Sequence, residues 1–250
     1  MSGAPGDNAI AVIQPDWKAP AVVRAAVTLR AGGVSRAPYN TLNLGVHVGD
    51  APEHVRENRQ RVRTQLQLPQ EPAWLEQVHG TRIADLDAGD EGPADGVMTR
   101  QPGRVCVVQV ADCLPVLFAA RDGSAVAAAH AGWRGLAAGV LEATAAKLAV
   151  APGQLLAWLG PAISREHFEV GEEVRTAFVT RDDGAAVAFG ANVRGRWQCD
   201  LAELARRRLT ALGVHEVRGG DWCTFADPAS FFSYRRDGQC GRMAALIWLD

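Results

Sequence analysis

The sequence predicts an α+β fold of mixed α/β layers, in which largely antiparallel sheets are flanked by helices. Three observations support this fold class. Short apolar runs of strand length cluster in the middle of the chain, Gly-containing turns join them at hairpin spacing, and helical patterns lie between them unevenly. A regular alternation of strand and helix would instead predict a parallel, doubly wound sheet.

The 250 residues provide enough chain for one large core, and no linker divides them. Residues 1–20 are rich in Gly, Pro and Asp and are expected to form a loose leader without a secretory signal. Residues 21–250 are therefore predicted to be a single domain. The five cysteines show no CxxC pairing, which favours free thiols in a reducing, cytoplasmic compartment.

Composition excludes several classes of partner. The formal net charge of −2 provides no electrostatic basis for binding nucleic acid or an anionic membrane surface. The most apolar stretch, residues 105–120, is interrupted by Gln109, Asp112 and Pro115, so no membrane-spanning helix is expected.

Four segments carry helical patterns. Asp50 and Glu53 have the spacing of an N-cap followed by a capping carboxylate, and the helix that they begin is expected to end near Leu68. Periodic apolar residues predict further helices over residues 134–148, 171–179 and 201–212.

Nine apolar runs between turn signals are predicted to be strands. They cover residues 22–29, 73–78, 82–86, 96–99, 105–110, 116–120, 125–129, 155–159 and 243–249.

Three reactive side chains stand where predicted strands end. His79 lies at a hairpin turn, Cys113 separates two apolar strands, and His130 lies between a buried strand and a helix. A thiolate beside a histidine is a nucleophile or a soft ligand for zinc or copper(I), and a purely packed cysteine is an equally good interpretation of Cys113. A hydrogen-bonded core histidine is the simplest interpretation of His130 taken alone.

Together, two imidazoles and one thiolate with an open fourth position are typical of a catalytic zinc site. The separations of 34 and 17 residues do not form a zinc-finger pattern. A trinuclear copper site needs clustered His-x-His pairs, and none of the six histidines is so arranged.

A candidate anion site adjoins this set. Gly132 and Gly135 flank the start of a predicted helix, where unpaired N–H groups and the Arg134 guanidinium could hold phosphate or carboxylate. Tyr234, Arg235 and Arg236 form a polar run that is either solvated or covers a pocket.

Many ordered motifs in the chain resemble those of the YfiH, or laccase-domain, family, which is also called polyphenol oxidase. The resemblance extends from about Thr28 to Leu249. Its motifs are residues 28–35, 43–45, 47–50, 57–59, 77–80, 94–96, 111–115, 130–135, 159–163, 223–224 and 231–236.

The resemblance implies a YfiH-like catalytic domain with a shallow zinc site whose ligands are His79, Cys113 and His130. It also implies phosphorolysis of the purine nucleosides adenosine, inosine and 5′-methylthioadenosine, together with adenosine deamination. Copper-dependent phenol oxidation and hydrolytic editing of peptidoglycan precursors are the alternative activities. The expected partners are a nucleoside and phosphate, and the expected state is a monomer or small homo-oligomer.

Other polar residues can be assigned to these reactions. Cys113, His130 and Asp112 are the candidate catalytic residues, and Asp112 could orient a ligand imidazole or accept a proton. Arg134 is expected to bind phosphate with help from Arg59 or Arg30, and Asn43 is a candidate hydrogen-bond partner for sugar or base. A turn-forming role explains Asp112, and likewise Asp95, nearly as well.

Overall fold

Thirteen strands and six helices make up the part of the chain that the computed structural model describes, residues 9–90 and 92–250. The strands are β1 (Val12–Ile13), β2 (Val23–Thr28), β3 (Ile83–Asp85), β4 (Gly96–Thr99), β5 (Val105–Val110), β6 (Leu114–Ala120), β7 (Val126–Ala131), β8 (Leu155–Leu159), β9 (Glu169–Val170), β10 (Phe189–Ala191), β11 (Trp197–Cys199), β12 (Glu216–Gly219) and β13 (Met243–Leu249). The helices are α1 (Pro52–Gln65), α2 (Trp133–Ala138), α3 (Val140–Leu148), α4 (Glu172–Val179), α5 (Leu201–Leu212) and α6 (Tyr234–Asp237).

The strands form two large sheets and one small sheet. The first sheet has the order β1-β2-β13-β5 and is antiparallel throughout. The second has the order β12-β8-β6-β7-β4-β3 and is parallel only at its two edges. The third, β10-β11-β9, is antiparallel. The prediction of an α+β fold with largely antiparallel sheets is confirmed.

The two large sheets pack face to face, and helices cover their outer faces. Because side chains alternate along a strand, Ala245 and Ile247 of β13 face the second sheet, whereas Ala244 and Leu246 face the side of α1. The second sheet buries its opposite face against α2 to α5. This double coverage explains why the central strands have continuous apolar sequences.

Two predicted elements and one predicted helix cap differ from the structure. Ala51, not Asp50, is the N-cap of α1, and no side chain caps this helix. The helix expected over residues 134–148 is divided into α2 and α3, because Gly139 adopts a left-handed conformation with φ of 110°. Residues 73–78 form only one bridge, between Ala73 and Cys106. The Gln77 side chain instead bonds the backbone N–H and C=O of Gln109, so an amide side chain replaces the ladder there.

Part of the expected leader contacts the first sheet. Its residues 1–8 lie outside the described residues. In the remainder, β1 pairs with β2, and the Asp16 carboxylate accepts a hydrogen bond from the Trp158 indole at 2.9 Å. Within the described ranges, no helix combines the length and apolar character needed to cross a bilayer.

Asn58 on α1 holds the loop that precedes this helix. Its side chain is fully buried, accepts a hydrogen bond from the Val34 N–H, and donates to the Ser35 hydroxyl and the carbonyls of Thr41 and Asn43. Buried backbone groups must be paired, so one amide side chain fulfils this requirement for several loop residues.

Replacing Asn58 with alanine should therefore destabilise the protein by about 2–3 kcal/mol, because loop carbonyls and an N–H group lose their partner in the interior. Urea denaturation measures this change. The exposed neighbour Gln60 provides the control, and Gln60→Ala should change stability by less than about 0.5 kcal/mol. Equal effects of the two substitutions would contradict the assignment.

Candidate metal and substrate site

Strand register brings Asp95, Cys113 and His130 together at one end of the central strands of the second sheet. Asp95 immediately precedes β4, and β4 pairs with β7 so that Gly96 lies opposite Ala129. Cys113 immediately precedes β6, whose Pro115 lies opposite His130. The antiparallel pairings therefore place the starts of β4 and β6 beside the end of β7.

The Asp95 carboxylate connects these strand ends to the loop that carries His79. The carboxylate is fully buried and accepts hydrogen bonds from the backbone N–H groups of Val78, His79 and Gly80 at 2.6–3.1 Å. The same carboxylate accepts a 2.8 Å hydrogen bond from His130 Nδ1. Burial by itself raises the pKa of Asp95, but the bonds from His130 and the backbone outweigh burial and lower it.

His79 is held in an unusual backbone conformation. Its φ of 60° lies in the left-handed region, which a residue with a Cβ seldom adopts without compensation. The three backbone bonds to Asp95 supply that compensation. The conformation places the His79 ring 4.8 Å from the ring of His130, at 74° to it.

The side chains of His79, Cys113 and His130 form one cluster. Their ligand atoms lie within 4.8 Å of one another, and Cys113 Sγ is 3.8 Å from His79 Nε2. In residues 9–90 and 92–250, this is the only group of three or more His, Cys, Asp or Glu side chains that could hold a metal ion.

Cys113 and His130 favour each other's charged form. Burial by itself raises the pKa of the Cys113 thiol, but both neighbouring histidines outweigh burial and lower it. Burial by itself lowers the pKa of His130, but the Cys113 thiolate and Asp95 outweigh burial and raise it. A thiolate is the form that binds a metal or attacks as a nucleophile.

The cluster fits a metal ion in its donor chemistry and its free space. Asp95 occupies Nδ1 of His130, which leaves Nε2 as the ligand atom, an arrangement common around protein metal sites. Gly132 faces the cluster, and a Cβ there would lie 2.9 Å from both Cys113 Sγ and His79 Cδ2. The missing side chain therefore keeps the space between the ligands open.

Asp112 connects the cluster to the walls of an adjacent cavity. Its φ of 95° is also left-handed, and its carboxylate accepts 2.6 Å hydrogen bonds from the Thr224 hydroxyl and the Arg235 backbone N–H. Its backbone carbonyl accepts from the Ile163 N–H. The expectation that Asp112 orients a ligand imidazole is therefore not met, because Asp95 bonds His130 and Asp112 holds the cavity walls.

The cavity beside the cluster has a volume of about 230 Å³. One side is apolar and well buried, formed by Ile163, Phe168 and Leu201. Two arginines also line it, Arg134 and Arg235. The remaining lining residues are His79, Ala111, Asp112, Cys113, Trp133 and Tyr234.

Arg134 lies where the sequence places an anion site. Its guanidinium is 4.4 Å from the centre of the Trp133 ring and has no hydrogen-bond partner or ion pair among the described residues. The guanidinium is therefore accessible to an anion in the cavity, and the Trp133 ring holds it near the cluster.

Three residues expected to bind substrate do not line this cavity. Arg59 donates two hydrogen bonds to the Leu44 carbonyl and stacks on Trp74. Arg30 donates to backbone carbonyls, including that of Pro228 at 2.8 Å. Asn43 is fully buried and bonds Gly45, Asp50 and Arg242. These side chains hold loops together because the backbone of a buried loop requires partners.

The sequence alone did not single out several residues of the site. A turn-forming role explains Asp95 there nearly as well as a functional one, Thr224 enters only through the motif 223–224, and Phe168 carries no local signal. The possibility that the run 234–236 covers a pocket is met by Tyr234 and Arg235, which line the cavity. Arg236 instead donates to the carbonyls of Thr224, Phe225 and Phe231.

The fold and the site define an α+β protein of two packed large sheets, with a His-Cys-His cluster at strand ends beside an arginine-lined cavity. The chain belongs to the family described as multi-copper polyphenol oxidoreductase laccase, whose model matches residues 24–250.

Relatives and solved structures agree with this assignment over almost the whole chain. A purine nucleoside phosphorylase of Pseudomonas aeruginosa is 53% identical over 95% of this chain and 98% of its own length. The purine nucleoside phosphorylase YfiH of Escherichia coli is 51% identical with the same coverage. A crystal structure from Neisseria meningitidis, 50% identical, matches 96% of this chain and 99% of its own with a TM-score of 0.92.

Replacing Asp95 with asparagine should weaken metal binding by about 10- to 100-fold, because each carboxylate oxygen accepts two hydrogen bonds and the amide nitrogen that replaces one oxygen cannot accept any. The metal-free variant should also lose about 3 kcal/mol of stability at neutral pH. Competition with a chelator and urea denaturation measure the two effects. The matched control is Asp183→Asn, which changes an exposed carboxylate outside the site.

The difference in stability between the wild type and the Asp95→Asn variant should depend on pH. The pKa of Asp95 is lower in the folded than in the unfolded protein, so its ionised form adds stability above the unfolded value. That stability is lost as the pH falls below about 5 towards the folded pKa. A difference that stays constant down to acid pH would contradict this role.

Replacing Gly132 with alanine should lower metal affinity by at least about tenfold, because the new methyl group occupies the space between Cys113 and His79. The backbone at Gly132, with φ of −61° and ψ of 154°, suits alanine, so any loss of thermal stability without metal should come only from the shift that the methyl group imposes on the Cys113 and His79 side chains. Elemental analysis measures the metal content. The control is Gly153→Ala, since nothing lies within 4 Å of a Cβ there.

Proposed function

We propose that this chain is a metal-dependent purine nucleoside phosphorylase that cleaves adenosine, inosine and 5′-methylthioadenosine with phosphate. The observation that carries this proposal is the free guanidinium of Arg134 beside the His-Cys-His cluster, in a cavity of about 230 Å³ with an apolar side. Phosphorolysis requires an anion site and an apolar base site next to each other, and the names of the relatives agree with this reaction.

Zinc is the proposed metal, held by His79, Cys113 and His130, with copper as the alternative. Two imidazoles and one thiolate leave a fourth position open, as in catalytic zinc sites. When bound, the metal would act as a Lewis acid that polarises an oxygen ligand. Asp95 would keep both histidines oriented towards it, through His130 Nδ1 and the backbone of His79.

The chain's own residues would bind and orient both reactants. Arg134 would hold phosphate by charge-assisted hydrogen bonds, and Ile163, Phe168 and Leu201 would contact the purine. In the reaction, a phosphate oxygen bonds to ribose C1′ as the bond between C1′ and purine N9 breaks. The electron pair of that bond leaves with the purine, which then gains a proton. Arg134 would act mainly by placing the phosphate for attack.

A second candidate is the hydrolysis of an amide bond in a peptidoglycan precursor. One observation favours it: the lowered pKa of Cys113 and the raised pKa of His130 describe a thiolate–imidazolium pair, the nucleophile arrangement of cysteine hydrolases.

Adenosine deamination is a proposed side activity of the phosphorylase, which the open fourth position on the metal could support.

Metal analysis combined with a nucleoside panel tests the proposal. Protein purified with zinc should bind about one zinc per chain and release adenine and ribose 1-phosphate from adenosine only when phosphate is present. Inosine formed from adenosine would add the deaminase activity. His130→Ala should lose metal and reduce turnover by at least about 100-fold, because it removes a ligand and the partner of Cys113.

Each alternative predicts a different result. Stoichiometric copper with oxygen consumption on phenols would support the oxidase. Amide hydrolysis that persists in metal-free protein and stops on alkylation of Cys113 would support the cysteine hydrolase. No product from any nucleoside with zinc-loaded protein would overturn the phosphorylase.

Arg134→Gln should raise the KM for phosphate by about tenfold or more and leave the metal content unchanged. The matched control is Arg218→Gln, at an exposed arginine of β12 that does not line the cavity. Initial rates over a phosphate series measure the effect. An unchanged KM for phosphate would assign the anion site to another residue.

A further inference from the structure

The second arginine of the cavity, Arg235, is anchored at three points. Its backbone N–H donates to the Asp112 carboxylate at 2.6 Å, and its Nη1 donates to the Glu169 carbonyl at 2.8 Å. Its guanidinium carbon also lies 5.1 Å from the centre of the Phe168 ring. This guanidinium is therefore held in a defined orientation at the wall of the cavity.

The anchors leave a pair of donors unused. Nε and Nη2 of Arg235 have no hydrogen-bond partner in the described part of the chain. The adjacent Arg236 differs, since its Nε, Nη1 and Nη2 all donate, to Asp237 and to the backbone carbonyls of Thr224, Phe225 and Phe231. Arg236 thus supports the loop, whereas Arg235, which lines the cavity, keeps a planar fork of two N–H donors without a partner among the described residues.

The surroundings of this fork suit a planar heterocycle. Ile163, Phe168 and Leu201 are 3%, 8% and 2% exposed and give the cavity an apolar side. A flat ring against that side would be buried on one face, and its edge would meet the guanidinium. Parallel N–H donors at this spacing match two adjacent acceptors on the ligand.

We propose that Arg235 recognises the purine base and that its Nε and Nη2 donate to N7 and O6 of a 6-oxopurine. This inference rests on the proposed function. Arginine pairs in this bidentate way with the N7 and O6 acceptors of guanine, whereas adenine has an amino group at position 6 and accepts only at N7 on that edge. Arg235 therefore favours inosine and guanosine relative to adenosine.

The same contact assists departure of the base. As the bond between ribose C1′ and purine N9 breaks, its electron pair enters the purine ring, and negative charge develops at N7 and O6. A cationic donor fixed at these atoms stabilises that charge more in the transition state than in the ground state. Arg235 thus contributes to kcat as well as to the choice of base.

The test compares inosine and adenosine in two variants. Arg235→Met keeps an apolar side chain against Phe168 and removes the donors, so the ratio of kcat/KM for inosine to that for adenosine should fall by about 10- to 100-fold. Arg235→Gln should lower this ratio further, because a glutamine amide can pair with the N6 and N7 groups of adenine. Arg218→Gln should leave the ratio unchanged.

Binding measurements separate this inference from the phosphorylase proposal. Calorimetry with hypoxanthine and adenine, without phosphate, reports base recognition even in a protein that cleaves no nucleoside. Arg235→Met should weaken hypoxanthine binding by about tenfold or more and adenine binding less, with the metal content of the wild type. Equal losses for both bases, no loss for either, or wild-type protein that binds neither base would overturn the inference.

Discussion

The buried carboxylate of Asp95 is the interaction on which the candidate site depends. It bonds His130 Nδ1 and the backbone of residues 78–80, so one group orients a histidine on a strand and a histidine on a loop. The carboxylate is fully buried, and each bond therefore lies in a low-dielectric interior where a missing partner is costly. The left-handed backbone of His79 persists because these bonds outweigh its strain.

Two carboxylates divide the organisation of the site between them. Asp95 orients the side chains of the His-Cys-His cluster, whereas Asp112 holds Thr224 and the Arg235 backbone and so positions the walls of the cavity. Cys113 of the cluster follows Asp112 of the cavity wall directly, and Asp112 has a left-handed backbone conformation. A movement of either residue is therefore transmitted to the other through one peptide bond. The His-Cys-His cluster and the wall of the cavity are therefore linked through the backbone of residues 112–113.

The arginines show how little residue type alone says about function. Arg30, Arg59 and Arg236 bond backbone carbonyls of loops, whereas Arg134 and Arg235 present free donors to the cavity. A guanidinium lies several bonds from its Cα, so the direction of its side chain depends on tertiary neighbours.

The family description names several coppers, yet the described residues contain a single group of three side chains that could hold a metal ion.

Local sequence determined the strands β4, β5, β8 and β13, helix α5, the α+β class, and the choice of His79, Cys113 and His130 as the reactive set. Those features depend on short-range apolar patterns and on the presence of His and Cys where predicted strands end. The break at Gly139 and the side-chain ladder of Gln77 were not predictable, because neighbouring segments determine whether a helix continues or a strand pairs.

Only the tertiary structure decided which residues surround the reactive set. Asp95 becomes the organising carboxylate, and Arg59, Arg30 and Asn43 become loop supports, through contacts between segments far apart in sequence. The physical reason is that a buried polar side chain bonds whichever backbone or charged group the packed sheets bring to it. The sequence by itself therefore determined the reactive groups, and the packing of two sheets decided their orientation and the cavity beside them.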